Sequence, residues 1–137
     1  MAGLGTHLIV ELFDCNEFAI NDSQRVEEIL LTAAELSGAT IVKPFFHTFS
    51  PYGVSGVIVI AESHFTIHTW PEHGYAAVDI FTCGDLDNDA ALEYIEREFG
   101  AGRCEVVTLD RGVMDRTRAV RDGDLPLVAG NSYAIGG

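Results

Sequence analysis

The sequence predicts an α+β fold, a two-layer sandwich in which a mostly antiparallel sheet carries two helices on one face. Three observations predict it. The middle of the chain is a succession of β-branched and aromatic runs separated by compact turns, the pattern of an antiparallel meander. Two stretches, one before the meander and one after it, carry apolar residues at helical spacing. And 137 residues with 47% hydrophobic content suffice for one core but not for two.

The first strand is "THLIVELFDC", which alternates in polarity. "SQRVEEILLTAAELSG" follows as a helix, with Ser23 as a candidate N-cap, Gly38 as its stop, and Val26, Ile29, Leu30 and Ala33 on one face. "ATIVKPFFHTF" and "VSGVIVIAE" read as strands joined through the turn residues "SPYG". "HFTIHTW" and "YAAVDIFTC" are two more strands on either side of the turn "PEHG". The second helix is "DNDAALEYIEREFG", acidic at its start and ended by Gly100, and "RCEVVTLD" is the last strand. Helices on one face of such a sheet leave the other face in need of cover. Residues 1–115 are expected to form a single domain. Residues 116–137, with much Gly and charge and no sustained period, are expected to be a loosely packed tail.

Eight basic residues against 21 acidic ones give a formal charge of -13, the wrong sign for general nucleic-acid or anionic-membrane binding. Cationic small molecules suit that field better, although net charge chiefly keeps a protein soluble. Cys15, Cys83 and Cys104 form no CxxC pair and no disulfide-like spacing, which points to a reducing compartment. The N-terminal residues lack the basic start of a signal peptide, and no run approaches the roughly 18 apolar residues of a membrane span. A cytoplasmic location is expected.

One junction does not fit a plain sheet protein. Glu62-Ser63 stands between "VSGVIVIA" and "HFTIHTW", where a polar pair interrupts apolar burial, and His64 and His68 follow at once. A surface turn would account for it without any chemistry. In a strand beginning near His64, residues His64, Thr66, His68 and Trp70 point to one face. Hairpin pairing across "PEHG" brings Cys83 toward the start of that strand, so hydroxyl, imidazole and thiol are expected at one end of the sheet.

Three chemistries use such a set. A hydrolase triad needs a nucleophile elbow, and the sequence has no G-x-S-x-G. A zinc site from His64, His68, His73 and Cys83 has suitable ligand types but none of the tight paired spacings. In the third, self-processing, a serine hydroxyl attacks the preceding carbonyl and turns the Glu62-Ser63 amide into an ester. A base then removes the serine α-proton, the upstream chain leaves, and the dehydroalanine left behind hydrolyses to a pyruvoyl group. That chemistry needs a serine at a sharp junction, a polar group to steady the carbonyl oxygen and a nearby base. Ser63, Ser55 and His68 are available.

The run "PYGVSGVIVIAESHFTIHTWPEHGYAAVDIFTCG" resembles the core signature of the prokaryotic S-adenosylmethionine decarboxylases, pyruvoyl enzymes of polyamine biosynthesis. The likeness is dense from Gly38 to Gly84. It thins toward "LGTHLIVELFDC" and the last strand, and little of it remains after Arg116.

The resemblance implies cleavage between Glu62 and Ser63, with Ser63 becoming the pyruvoyl group that holds substrate as a Schiff base. It implies His68 as the base of processing, Ser55 as its hydroxyl helper and Cys83 as the proton donor in decarboxylation. Phe49 would stack on an adenine, Glu72 would bond a ribose hydroxyl, and Trp70 stands with them among the substrate-binding candidates. A pyruvoyl carbonyl is an electron sink of the pyridoxal kind, so neither metal nor pyridoxal phosphate is expected.

Taken singly, Cys83 would suit a small buried hydrophobe, Ser55 beside Gly56 a strand bend, and Phe49 and Trp70 core aromatics. Together and in the family's order they favour the family reading. The implied reaction takes S-adenosylmethionine to its decarboxylated form plus CO2, an aminopropyl donor for spermidine synthesis. The implied assembly is an (αβ)2 dimer of cleaved protomers with active sites at the interface. A homologous pyruvoyl decarboxylase of arginine or ornithine is the alternative, since only the pocket decides the substrate. An unprocessed binding or regulatory subunit is a third, and an intact chain would mark it.

Overall fold

A computed structural model of the chain describes residues 3–114. Strand β1 spans Gly5–Phe13, helix α1 Glu17–Asn21, helix α2 Ser23–Ser37, β2 Thr40–Thr48, β3 Val54–Ala61 and β4 Ser63–Trp70. A single 3-10 turn at Pro71–His73 leads to β5 Tyr75–Thr82, then α3 Asn88–Glu98 and β6 Arg103–Arg111. The tail expected from residue 116 lies outside the described residues.

The six strands run in the order β2-β3-β4-β5-β1-β6, and each neighbouring pair is antiparallel. The meander β2-β3-β4-β5 follows the chain, because each link is a turn of the expected kind. β1 joins it non-locally, between β5 and β6.

The expected helix spacing places Val26, Ile29, Leu30 and Ala33 fully inside. They pack with Val10 and Leu12, Ile58 and Ile60, Phe65 and Ile67, and Val78 and Ile80, the inward residues of four strands. Gly38 ends α2 in the left-handed conformation, as the sequence implies, with φ +92°. The N-cap differs from expectation by one residue. Asp22 accepts from the N–H groups of Gln24 and Arg25, and Ser23 is already helical; a carboxylate there both satisfies the free donors and meets the positive end of the helix.

Helix α1 was not expected. Asn16 caps its five residues by accepting from Phe18 and Ala19 N–H, and a segment so short carries no readable period. The helices lie on one face of the sheet. Among the described residues no element covers the opposite face, which exposes Phe45, Val59, Trp70 and Val107.

Candidate active site

Strand β4 is the spine of the site, and the sequence candidates divide between its two ends. At its start, the β3–β4 hairpin closes with Ile60 paired to Ser63, leaving Ala61 and Glu62 in the turn. Glu62 is exposed. Ser63 has φ +130°, in the half of backbone space that favours glycine. On its other side Ser63 pairs with Thr82, the last residue of β5, so that Ser63 Oγ lies 3.5 Å from Cys83 Sγ.

Cys83 is held from both directions. The buried Thr82 hydroxyl donates to Asn88 Oδ1 at the start of α3, and Gly84 turns the chain away with φ +76°. Hairpin pairing, the expectation from sequence, therefore gives the right contact. A cleft of about 270 Å³ adjoins it, lined by Leu4, Gly5, Phe81, Cys83, Arg111 and Gly112.

Near the other end of β4, Ser55 of β3 pairs with His68, and Ser55 Oγ lies 2.7 Å from His68 Nδ1. The inward neighbour Thr69 anchors this pair. Its buried hydroxyl accepts from Val54 N–H at 2.9 Å and donates to the Ile20 carbonyl of α1 at 2.7 Å. Asn21, the last residue of α1, accepts from Gly53 N–H and so fixes the turn before β3. Thus the helix that the sequence did not reveal supports this end. Thr69 was the available signal, a hydroxyl at an inward strand position beside Phe65 and Ile67 that must find partners. A cleft of about 320 Å³ opens here, with Phe49, Ser55, His68, Trp70 and Glu72 among its walls.

The two ends do not meet. His68 follows Ser63 by five residues of extended strand, about 16 Å at roughly 3.3 Å per residue. The hydroxyl, imidazole and thiol expected at one end of the sheet are there, as Ser63, His64 and Cys83, but the processing residues carried over from the family are not among them. Ser63 and Cys83 share one end with His64, while Ser55, His68 and all three substrate-binding candidates occupy the other. Among the described residues, no group of three or more His, Cys, Asp or Glu side chains is gathered to hold a metal ion.

Between the ends, the bare face carries a hydrogen-bonded row that sequence reading did not find. Arg111 Nη1 donates to His7 Nδ1 at 3.0 Å, His7 Nε2 lies 2.9 Å from Asp79 Oδ1, and Thr66 Oγ1 donates to Asp79 Oδ2 at 2.9 Å. Arginine can only donate, so His7 Nδ1 accepts from it while Nε2 faces the Asp79 carboxylate. The hydrogen bond to His7, more than any other cause, holds the Asp79 carboxyl below its usual range. Burial lowers the pKa of the neighbouring His64, and His7 adds to the effect. Burial likewise raises that of Tyr75, helped by its hydrogen bond to Glu11.

The family model described as S-adenosylmethionine decarboxylase matches residues 6–112. The chain belongs to the S-adenosylmethionine decarboxylase family. Proteins named S-adenosylmethionine decarboxylase proenzyme share 54% identity with it in Carboxydothermus hydrogenoformans, over 83% of this chain and 91% of the relative. The relative of that name in Thermotoga petrophila is 51% identical over 84% of this chain and 89% of its own length. The one in Pseudomonas paraeruginosa is 52% identical over 80% and 69%. Among solved structures, the adenosylmethionine decarboxylase of Aquifex aeolicus superposes with a TM-score of 0.76 at 34% identity, covering 82% of this chain and 94% of that one. The family match spans both ends of β4 and every site candidate from Phe49 to Cys83.

Proposed function

We propose that the chain is a self-processing S-adenosylmethionine decarboxylase that cuts itself between Glu62 and Ser63 and acts as a dimer of cleaved protomers. The observation that carries this reading is Ser63 itself, a non-glycine residue at φ +130° in a hairpin, against the Cys83 thiol. Such a conformation costs about 1–3 kcal/mol and persists where the surroundings impose it. The relatives' names favour S-adenosylmethionine over arginine and ornithine.

Processing needs nothing but the chain and water. Ser63 Oγ attacks the Glu62 carbonyl carbon, and the amide becomes an ester as the nitrogen takes a proton. Removal of the Ser63 α-proton then expels residues 1–62 as a carboxylate. The dehydroalanine left on residues 63–137 takes up water and loses ammonia, leaving a pyruvoyl group. That ketone supplies the electron sink for loss of CO2. Cys83, whose thiol can donate a proton, is placed to protonate the substrate α-carbon once CO2 has left. His68 is the base of processing: with Nδ1–H donated to Ser55 Oγ, Nε2 is free to take a proton.

His68 cannot reach Ser63 of its own chain across about 16 Å. A second copy laid on the bare sheet face supplies its own Ser55, His68 and the cleft of Phe49, Trp70 and Glu72 to each Ser63–Cys83 end. That arrangement also covers the exposed Phe45, Val59 and Trp70. In it Phe49 stacks on the adenine and Glu72 bonds the ribose. The three free cysteines suit a reducing, cytoplasmic setting, and the product serves as an aminopropyl donor for spermidine synthesis.

The test is intact mass of the purified protein, followed by CO2 release from S-adenosylmethionine, arginine and ornithine. Two chains, one of residues 1–62 and one of 63–137, with release from the first substrate alone, are expected. An intact chain that is active would overturn the mechanism.

A further inference from the structure

We infer that His47 is a positioning residue that fixes Phe49 as a wall of the substrate cleft. Phe49 follows the end of β2 and begins the turn to β3, where its N–H donates to Gly53 O at 2.8 Å. Its main chain is therefore held, yet its ring is 49% exposed and rims the cleft that contains Ser55 and His68. The ring contact recorded for it is with His47, at 4.5 Å between centroids and 75° between planes. That is the edge-to-face geometry in which the positive rim of one ring meets the negative face of the other.

The strand explains why these two meet. Residues 47 and 49 lie two apart, so an extended backbone points both to the same side. His47 also pairs with Ser55 across β2 and β3, and Ser55 pairs with His68 across β3 and β4. His47 thus sits in one row with the Ser55–His68 pair while leaning on Phe49. An exposed phenyl ring without such a neighbour would have to be ordered when substrate binds; held in place beforehand, it saves that cost. His47 itself touches neither substrate nor reacting atoms. Its influence passes through Phe49, so it belongs in KM and not in kcat.

The inference rests on Phe49 being a substrate wall, and the experiment separates the two claims. Self-cleavage, kcat and KM for S-adenosylmethionine are measured for His47→Ala, His47→Phe, Phe49→Ala and the double alanine variant of the full chain. An edge-to-face pair corresponds to a change of about 3- to 10-fold, so KM should rise by that factor in His47→Ala. Cleavage and kcat at saturation should persist. His47→Phe, which restores a ring, should recover KM, and His47→Ala should add nothing once Phe49 is alanine. A raised KM in Phe49→Ala with a normal KM in His47→Ala would overturn the role of His47 alone. That role is equally overturned if His47→Phe fails to recover KM, or if His47→Ala abolishes cleavage. An unchanged KM in Phe49→Ala would instead remove Phe49 from the cleft wall and the inference with it.

Discussion

The two ends of β4 are built on opposite principles. At Ser63 the strand starts in an unfavourable backbone conformation, closed by a turn of Ala61 and Glu62 and steadied from the side by Thr82 and Asn88. At His68 the ladder is regular, and the Ser55–His68 pair stands on a buried hydroxyl bonded at once to β3 and to α1. In the proposed mechanism the first end breaks and makes covalent bonds and is altered for good in doing so. In the same proposal the second supplies the base of processing and walls the substrate cleft, and that cleft must keep its geometry through every cycle. The two ends stand about 16 Å apart in a single chain, and the proposed dimer would unite them.

The strongest test of that division is complementation. Ser63→Ala and His68→Ala each should prevent cleavage alone, the first for want of a hydroxyl, the second for want of a base. Co-expressed, they should form mixed dimers in which one site joins the Ser63 of one copy to the His68 of the other. The His68→Ala chain should then be cut, and about a quarter of all sites should regain activity if copies pair at random. No recovery, from copies shown to associate, would mean that each chain completes its own site.

Cys83→Ala probes the first end without touching cleavage directly. Turnover should fall by about 10²- to 10⁴-fold, the usual weight of a placed general acid, while much of the protein still cuts itself. A thiol missing from the site should also allow misplaced protonation, which leaves alanine in place of the pyruvoyl group at the head of the second chain. Steady-state rates and the mass of that chain after incubation with S-adenosylmethionine check both. Wild-type turnover without inactivation would leave Cys83 as a strand-end thiol only.

Thr69→Val probes the second end. Valine keeps the shape but strands the Val54 N–H and the Ile20 carbonyl in the core, at about 1–3 kcal/mol for a buried unpaired group. Thr82→Val at the first end should cost less, because its partner is the Asn88 side chain, which can turn to other partners. Urea denaturation of both variants in an uncleaved Ser63→Ala background compares them. Equal costs would remove the contrast between the ends.

What the sequence shows of these ends follows from how local each one is. The meander from Thr40 to Thr82 is legible because "SPYG" and "PEHG" dictate its turns, and the Ser63–Cys83 contact follows from hairpin pairing alone. The distance between Ser63 and His68, five residues of strand, was also there to be counted. The place of β1 between β5 and β6, and the row from Arg111 through His7 and Asp79 to Thr66, depend on pairings far apart in the chain. Helix α1 is five residues long and shows itself only through what it supports, Thr69 and Gly53.

The smallest expected effect concerns His64, which belongs to the first end by sequence but to the bare face by direction. Its ring packs edge-on against Phe81 at 5.6 Å, with His7, Asp79 and Arg111 around it. Burial, then His7, depresses its pKa, while Asp79 works the other way. The folded protein therefore binds this proton less readily than the unfolded chain does. Stability is full above the unfolded imidazole value of about 6.5 and falls as pH drops from there toward the lower folded value. Asp79 has a depressed carboxyl, so its own contribution is lost only in more acid solution, below about pH 4. In the Ser63→Ala background, His64→Gln should flatten the melting-temperature profile between about pH 7 and pH 5. The change should stay below about 4 °C, roughly the shift that 1 kcal/mol gives a domain of this length. Parallel profiles across that window would show that His64 does not govern the acid side.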